Sequence, residues 1–116
     1  MIDNTRLVTE FVDGVVVATI RLEKVTDADI AALQSDLTQA ARPHAFRLAI
    51  DLSKVLLLGS CGISLFLLLR KEAAAAGGKV ALFGMSSDLQ GMLKVTGLLS
   101  ILAPHKSRQA AIEACR

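Results

Sequence analysis

Two apolar runs meet at Gly59-Ser60-Cys61-Gly62, and no single regular element can carry both. Residues 55–58 read Val-Leu-Leu-Leu, and residues 63–69 are apolar except for Ser64. Small residues flanked by glycine between such runs indicate a tight turn. The second run leads into an alanine-rich segment that closes on Gly77-Gly78, a pattern for a helix and its C-terminal stop. The stretch therefore reads as strand, turn, helix, with Ser60 at the helix N-terminus. Backbone N–H groups there lack partners and the helix dipole favours negative charge. A serine in that position can cap the helix or carry a phosphate, and the spacing leaves both open.

The rest of the chain supplies partners for this unit. Residues 7–11 and 15–22 are apolar and β-branched around Asp13-Gly14, a strong hairpin signal. From Thr26 the period becomes helical, with Ile30, Leu33, Leu37 and Ala40 on one face. Thr26 or Asp27 can cap this helix, and Pro43 stops it near Ala41 or Arg42. Residues 47–52 read as a central strand and residues 79–84 as another. Ser86, Ser87 and Asp88 are candidate caps for a helix that Gly97 closes; residues 98–103 read as a short edge strand; Ser107 can cap a last helix. The expected order is β-β-α-β-α-β-α-β-α. That is an α/β domain over residues 1–116, with a mixed, mostly parallel sheet, an N-terminal hairpin and about four helices.

Composition narrows the function classes. A chain of 116 residues that is 53% hydrophobic is suited to one packed core. A net charge of +2, with no Trp or Tyr and only four Phe, argues against a nucleic-acid partner. No N-terminal apolar core suggests a signal peptide, and the longest apolar stretch is too broken to span a membrane. A cytoplasmic protein with Cys61 and Cys115 as free thiols is expected.

Catalytic signatures are wanting. His44, His105, Cys61 and Cys115 lack metal-ligand spacing. The string Leu58-Gly59-Ser60-Cys61-Gly62 is not a nucleophile elbow, and phosphate-loop and dinucleotide fingerprints are absent. Neither an enzyme nor a cofactor is expected. Cys61, in the first turn of a helix, reads either as a thiol of lowered pKa that senses oxidants or as a small side chain packed between sheet and helix. Ile63, Leu65, Phe66, Leu67, Leu68 and Leu69 occupy nearly every angle of the helix after Ser60. Deep burial or an exposed docking patch would each explain that surplus.

The element order, the run IDLSKVLLLGSCGISLFLLLRKEAAAAGGKVALFGMS and the later LKVTGLLSIL resemble a STAS domain, the sulfate-transporter and anti-sigma-factor-antagonist fold. The most telling pieces are Asp51-Leu52-Ser53, Ser60-x-Gly62, Gly77-Gly78 and Thr96-Gly97-Leu98. A chain of this length resembles an anti-sigma-factor antagonist more than a transporter tail. The resemblance implies partner switching. The unphosphorylated antagonist binds an anti-sigma factor that is also a serine kinase, phosphorylation of a turn serine dissociates the pair, and a phosphatase resets it. By position that serine is Ser60. The implied partner surface comprises Asp27, Gly59, Ser60, Cys61, Gly62, Ile63 and Leu65. Two places depart from the family. Gly59 replaces an acidic residue, and Lys24-Val25-Thr26-Asp27 replaces Gly-Glu-Leu-Asp. These departures motivate an alternative: a STAS module that binds constitutively, as a subunit of a signalling complex or of a lipid-transport ATPase. A Cys61 redox sensor is the third reading. Self-association into a homodimer stays open.

Overall fold

The computed structural model describes residues 2–116. Among them the chain forms six strands, five α-helices and one short 3-10 turn. Strands β1 (Leu7–Val12) and β2 (Val15–Ile20) make the expected hairpin. Asp13 and Gly14 both have positive φ, +52° and +81°, as a two-residue turn of the twist-compatible kind requires. Strand β3 is only Lys24–Val25. Helix α1 (Asp27–Ala41) follows, and its Asp29 carboxylate reaches back to accept from the Thr26 backbone N–H (2.9 Å) and hydroxyl (3.0 Å). Pro43 lies in the 3-10 turn Arg42–His44 that ends it.

Strand β4 (Arg47–Asp51) leads through a side-chain turn, in which Asp51 Oδ1 accepts from the Ser53 N–H at 2.9 Å, to the two-residue strand β5 (Leu57–Leu58). Helix α2 is Ser60–Ala75. It ends as the glycine pair foretells: the Gly77 N–H donates to Ala74 O and the Gly78 N–H to Ala73 O, a Schellman motif. Gly78 also permits close approach, since a Cβ there would lie 2.1 Å from Ala45 O. Strand β6 (Lys79–Phe83) and helices α3 (Ser87–Val95), α4 (Leu99–Leu102) and α5 (Arg108–Cys115) complete the chain. Ser86 and Ser107 cap α3 and α5, accepting from Leu89 N and Ala110 N.

The main sheet has the order β1-β2-β4-β6, antiparallel in the hairpin and parallel thereafter. Its inner strands are apolar on both faces, as parallel strands covered on both sides must be. Leu48, Ile50, Val16 and Ala18 pack in one core with Leu33 and Leu37 of α1 and Phe66 and Leu69 of α2. Ala49, Val15 and Val17 face the other way, onto Ala111, Ile112 and Cys115 of α5.

One expectation needs correction. Residues 98–103 are not an edge strand. Gly97, with φ +76°, turns the chain after α3 and the segment coils into α4, with the Leu98 N–H donating to Leu93 O. Only an isolated bridge, Phe83 with His105, stands where that strand was expected. Beyond the main sheet, β5, the end of the apolar run 55–58 read as a strand, pairs with β3 in a separate two-stranded parallel ribbon, and β3 carries no signal in the sequence.

Candidate functional site

The ribbon brings the starts of α1 and α2 together. The N–H groups of Leu56 and Leu57 both donate to Glu23 O, and that of Gly59 donates to Val25 O. Gly59 is the N-cap of α2, in ordinary extended conformation, and Ser60 is the first helical residue. Ser60 therefore does not cap the helix, as one reading of the sequence allowed. Its side chain is exposed and makes no hydrogen bond among the described residues. The first turn of α2 holds no acidic residue, whereas α1 has Asp27 and Asp29 and α3 has Asp88 in theirs. The positive end of the α2 dipole is left without a nearby side-chain charge of its own.

Asp27 approaches from α1. Its Oδ1 lies 3.9 Å from where a Cβ on Gly59 would stand, and its carboxylate acts on the Cys61 thiol. Its pull on the thiol proton, then its negative charge, then slight desolvation push Cys61 above its ordinary pKa. The redox-sensor reading needed the opposite shift, because the thiolate is the reactive form. Cys115 is buried in the α5 core, donates to Leu48 O at 3.4 Å, and is also shifted up, chiefly by burial.

The surplus of apolar residues in α2 resolves toward burial. Ile63 and Leu65 are 8% and 3% exposed, and Phe66 and Leu69 are buried, because α2 is roofed by α1 on one side and by the sheet on the other. Gly62 is buried too; a Cβ there would lie 2.4 Å from Leu58 Cδ1. Of the expected partner surface, Asp27, Gly59, Ser60 and Cys61 reach the surface, while Gly62, Ile63 and Leu65 support it from beneath. The exposed leucines lie earlier. Leu56 and Leu57 are each 57% exposed, against 38% for Leu68. They form one wall of a groove of about 680 Å³ that runs from Lys24 and Asp27 past Gly59 to Leu89 and Met92 of α3. The groove is not legible in the sequence, because its lining comes from three distant segments.

No group of three or more potential ligands that could hold a metal ion occurs among the described residues, and no helix there is long and apolar enough to cross a membrane.

A hairpin-led mixed sheet, helices on both faces and a solvent-facing hydroxyl at the start of the helix after the third main-sheet strand define a small α/β domain built around one helix N-terminus. The STAS domain family profile matches residues 6–111, and the chain belongs to that family. It is 25% identical over 109 residues to BtrV of Bordetella bronchiseptica, a protein whose name proposes it as an anti-sigma factor antagonist, covering 94% of this chain and 93% of that one. Among solved structures, an anti-sigma factor antagonist from Mycobacterium paratuberculosis superposes with a TM-score of 0.79 at 21% identity, covering 95% and 92% of the two chains. The phosphorylated form of SpoIIAA, a Bacillus cell fate determinant, superposes with a TM-score of 0.68 at 18% identity, covering 95% and 99%.

Proposed function

We propose that this chain is an anti-sigma-factor antagonist that works by partner switching. Unmodified, it binds an anti-sigma factor that is also a serine kinase and so releases a sigma factor; phosphorylation at Ser60 ends the complex, and a phosphatase restores it. The observation that carries this reading is Ser60 itself, exposed, without a hydrogen bond, at the first position of α2. Relatives named as anti-sigma factor antagonists support it, as does a phosphorylated form of one similar fold.

The chemistry is consistent. A phosphate adds nearly two negative charges and three strong acceptors. At Ser60 it would lie beside the unpartnered first amides of α2, which the fold tolerates well. Its cost falls on the complex, where the dianion must be stripped of water against the partner. A switch of this kind changes affinity while leaving the domain folded.

Gly59, where the family is acidic, and Lys24, in the stretch that replaces Gly-Glu-Leu-Asp, favour a second reading: a STAS module that binds its partner constitutively. Incubation with the serine-kinase-type anti-sigma factor of the same genome and ATP separates the two. The switching reading expects one phosphate by mass spectrometry, absent from Ser60→Ala. A complex that forms without phosphorylation and survives Ser60→Asp supports the constitutive reading.

A further inference from the structure

Helices α1 and α2 pack on each other, and their later turns border two clefts. One, of about 410 Å³, is lined mainly by polar side chains of α1: Gln34, Ser35, Thr38 and Gln39. The other, of about 330 Å³, has the apolar lining Phe46, Ala75 and Ala76. Arg42 and Glu72 line both, so the two clefts meet at this pair. The junction is remote from Ser60, because Glu72 lies about 18 Å further along α2 at the rise of an α-helix.

Arg42 and Glu72 carry opposite charges, yet neither belongs to an ion pair among the described residues. Glu72 Oε2 and Thr38 Oγ1 line the same cleft, and both atoms are buried without a hydrogen-bond partner there. A carboxylate oxygen that is out of water and lacks a donor is costly, so a group that supplies the donor is held well. An ammonium has three donors, enough for Glu72 and Thr38 together. A guanidinium is the matching partner of a carboxylate. Two unpaired charges of opposite sign beside an apolar recess are the complement of a small zwitterion with one apolar side chain.

We propose that this junction binds a free α-amino acid with an apolar side chain. The ligand's ammonium donates to Glu72 and Thr38, its carboxylate accepts from Arg42, and its side chain lies against Phe46, Ala75 and Ala76. A polyanion fits less well, because Glu72 would face it, and a simple amine leaves Arg42 unused. The inference is independent of the functional reading above and of the state of Ser60.

The probe is L-leucine, added to the full chain and followed by nuclear magnetic resonance. It is expected to shift the amide resonances of Arg42, Glu72 and Ala76 in a saturable way. Leucinamide lacks the carboxylate and N-acetyl-leucine lacks the ammonium; each should bind about tenfold more weakly, the size of one charge-assisted pair. Glycine, without the apolar side chain, should lose about tenfold or more. Glu72→Gln and Arg42→Gln should each weaken leucine by about tenfold, with the fold intact by circular dichroism. No saturable shift, shifts that map elsewhere, equal binding of leucine and its two blocked analogues, or wild-type affinity in a folded variant overturns the proposal. Should a variant fail to fold, the analogue series on the wild-type protein decides alone.

Discussion

The carboxylate of Asp27, in the first turn of α1, reaches toward the first turn of α2 and holds the thiol of Cys61 there above its ordinary pKa. The pair joins the starts of the two helices beside the proposed switch. It also makes the thiol a probe of the site.

Cys61 has a folded-state pKa above its ordinary value, so the folded chain favours the protonated thiol. That contribution to stability is fully present below the ordinary thiol range and is lost as pH rises through the raised value. Asp27→Asn removes the charge and should bring the pKa back down. At mildly alkaline pH, alkylation of Cys61 by iodoacetamide is then expected to be faster in Asp27→Asn than in wild type, read by mass spectrometry against buried Cys115. An unchanged rate contradicts the contact.

Ser60 contributes little to the fold. With its side chain exposed and unbonded, Ser60→Ala should change stability by less than about 0.5 kcal/mol in denaturant titration. Ser60→Asp places a charge at the positive end of α2, worth about 0.3–1 kcal/mol at most and offset in part by Asp27. A loss of several kcal/mol in either variant would show that Ser60 is structural.

The glycines divide by what surrounds them. A Cβ at Gly78 would stand 2.1 Å from Ala45 O and 2.3 Å from Phe46 O, both backbone atoms that cannot yield cheaply. Gly78→Ala should destabilise on the order of 3 kcal/mol. At Gly62 the obstacle is the end of the Leu58 side chain, so Gly62→Ala should cost less, about 1–2 kcal/mol, by repacking under the α2 start. Thermal unfolding of both variants tests the order.

Gly91 is the converse. It is exposed in the middle of α3, and a Cβ there meets nothing within 4 Å. Gly91→Ala should stabilise by about 0.5–1 kcal/mol through helix propensity and a less flexible unfolded chain. A lower melting temperature would mean that α3 is held in place by something other than its own backbone.

These contrasts also show which parts of the structure the sequence could disclose. Asp13-Gly14 announces its hairpin because few residue pairs accept positive φ twice in succession. Ser86, Ser107 and Gly77-Gly78 mark helix ends because each satisfies a backbone group within a turn or two. Residues 98–103 mislead because five apolar residues around Ser100 show neither period, and the turn at Gly97 decides for helix. Strand β3, at two residues, is too short for a pattern, and the apolar run 55–58 shows a strand but not that only its last two residues pair, or with what. The STAS resemblance rests on local motifs, so it pointed to Ser60 and Asp27 as site residues, and both reach the surface. It could not foresee that Ile63 and Leu65 are covered from two sides, or that Leu56 and Leu57 are left in water, because burial depends on segments far apart in the chain.

The most direct test compares the affinity of the unmodified and the Ser60-phosphorylated protein for the serine-kinase anti-sigma factor, by titration calorimetry at one salt concentration. Partner switching predicts a phosphorylated form that is folded and binds on the order of 100-fold more weakly. Equal affinities for the two forms would contradict it.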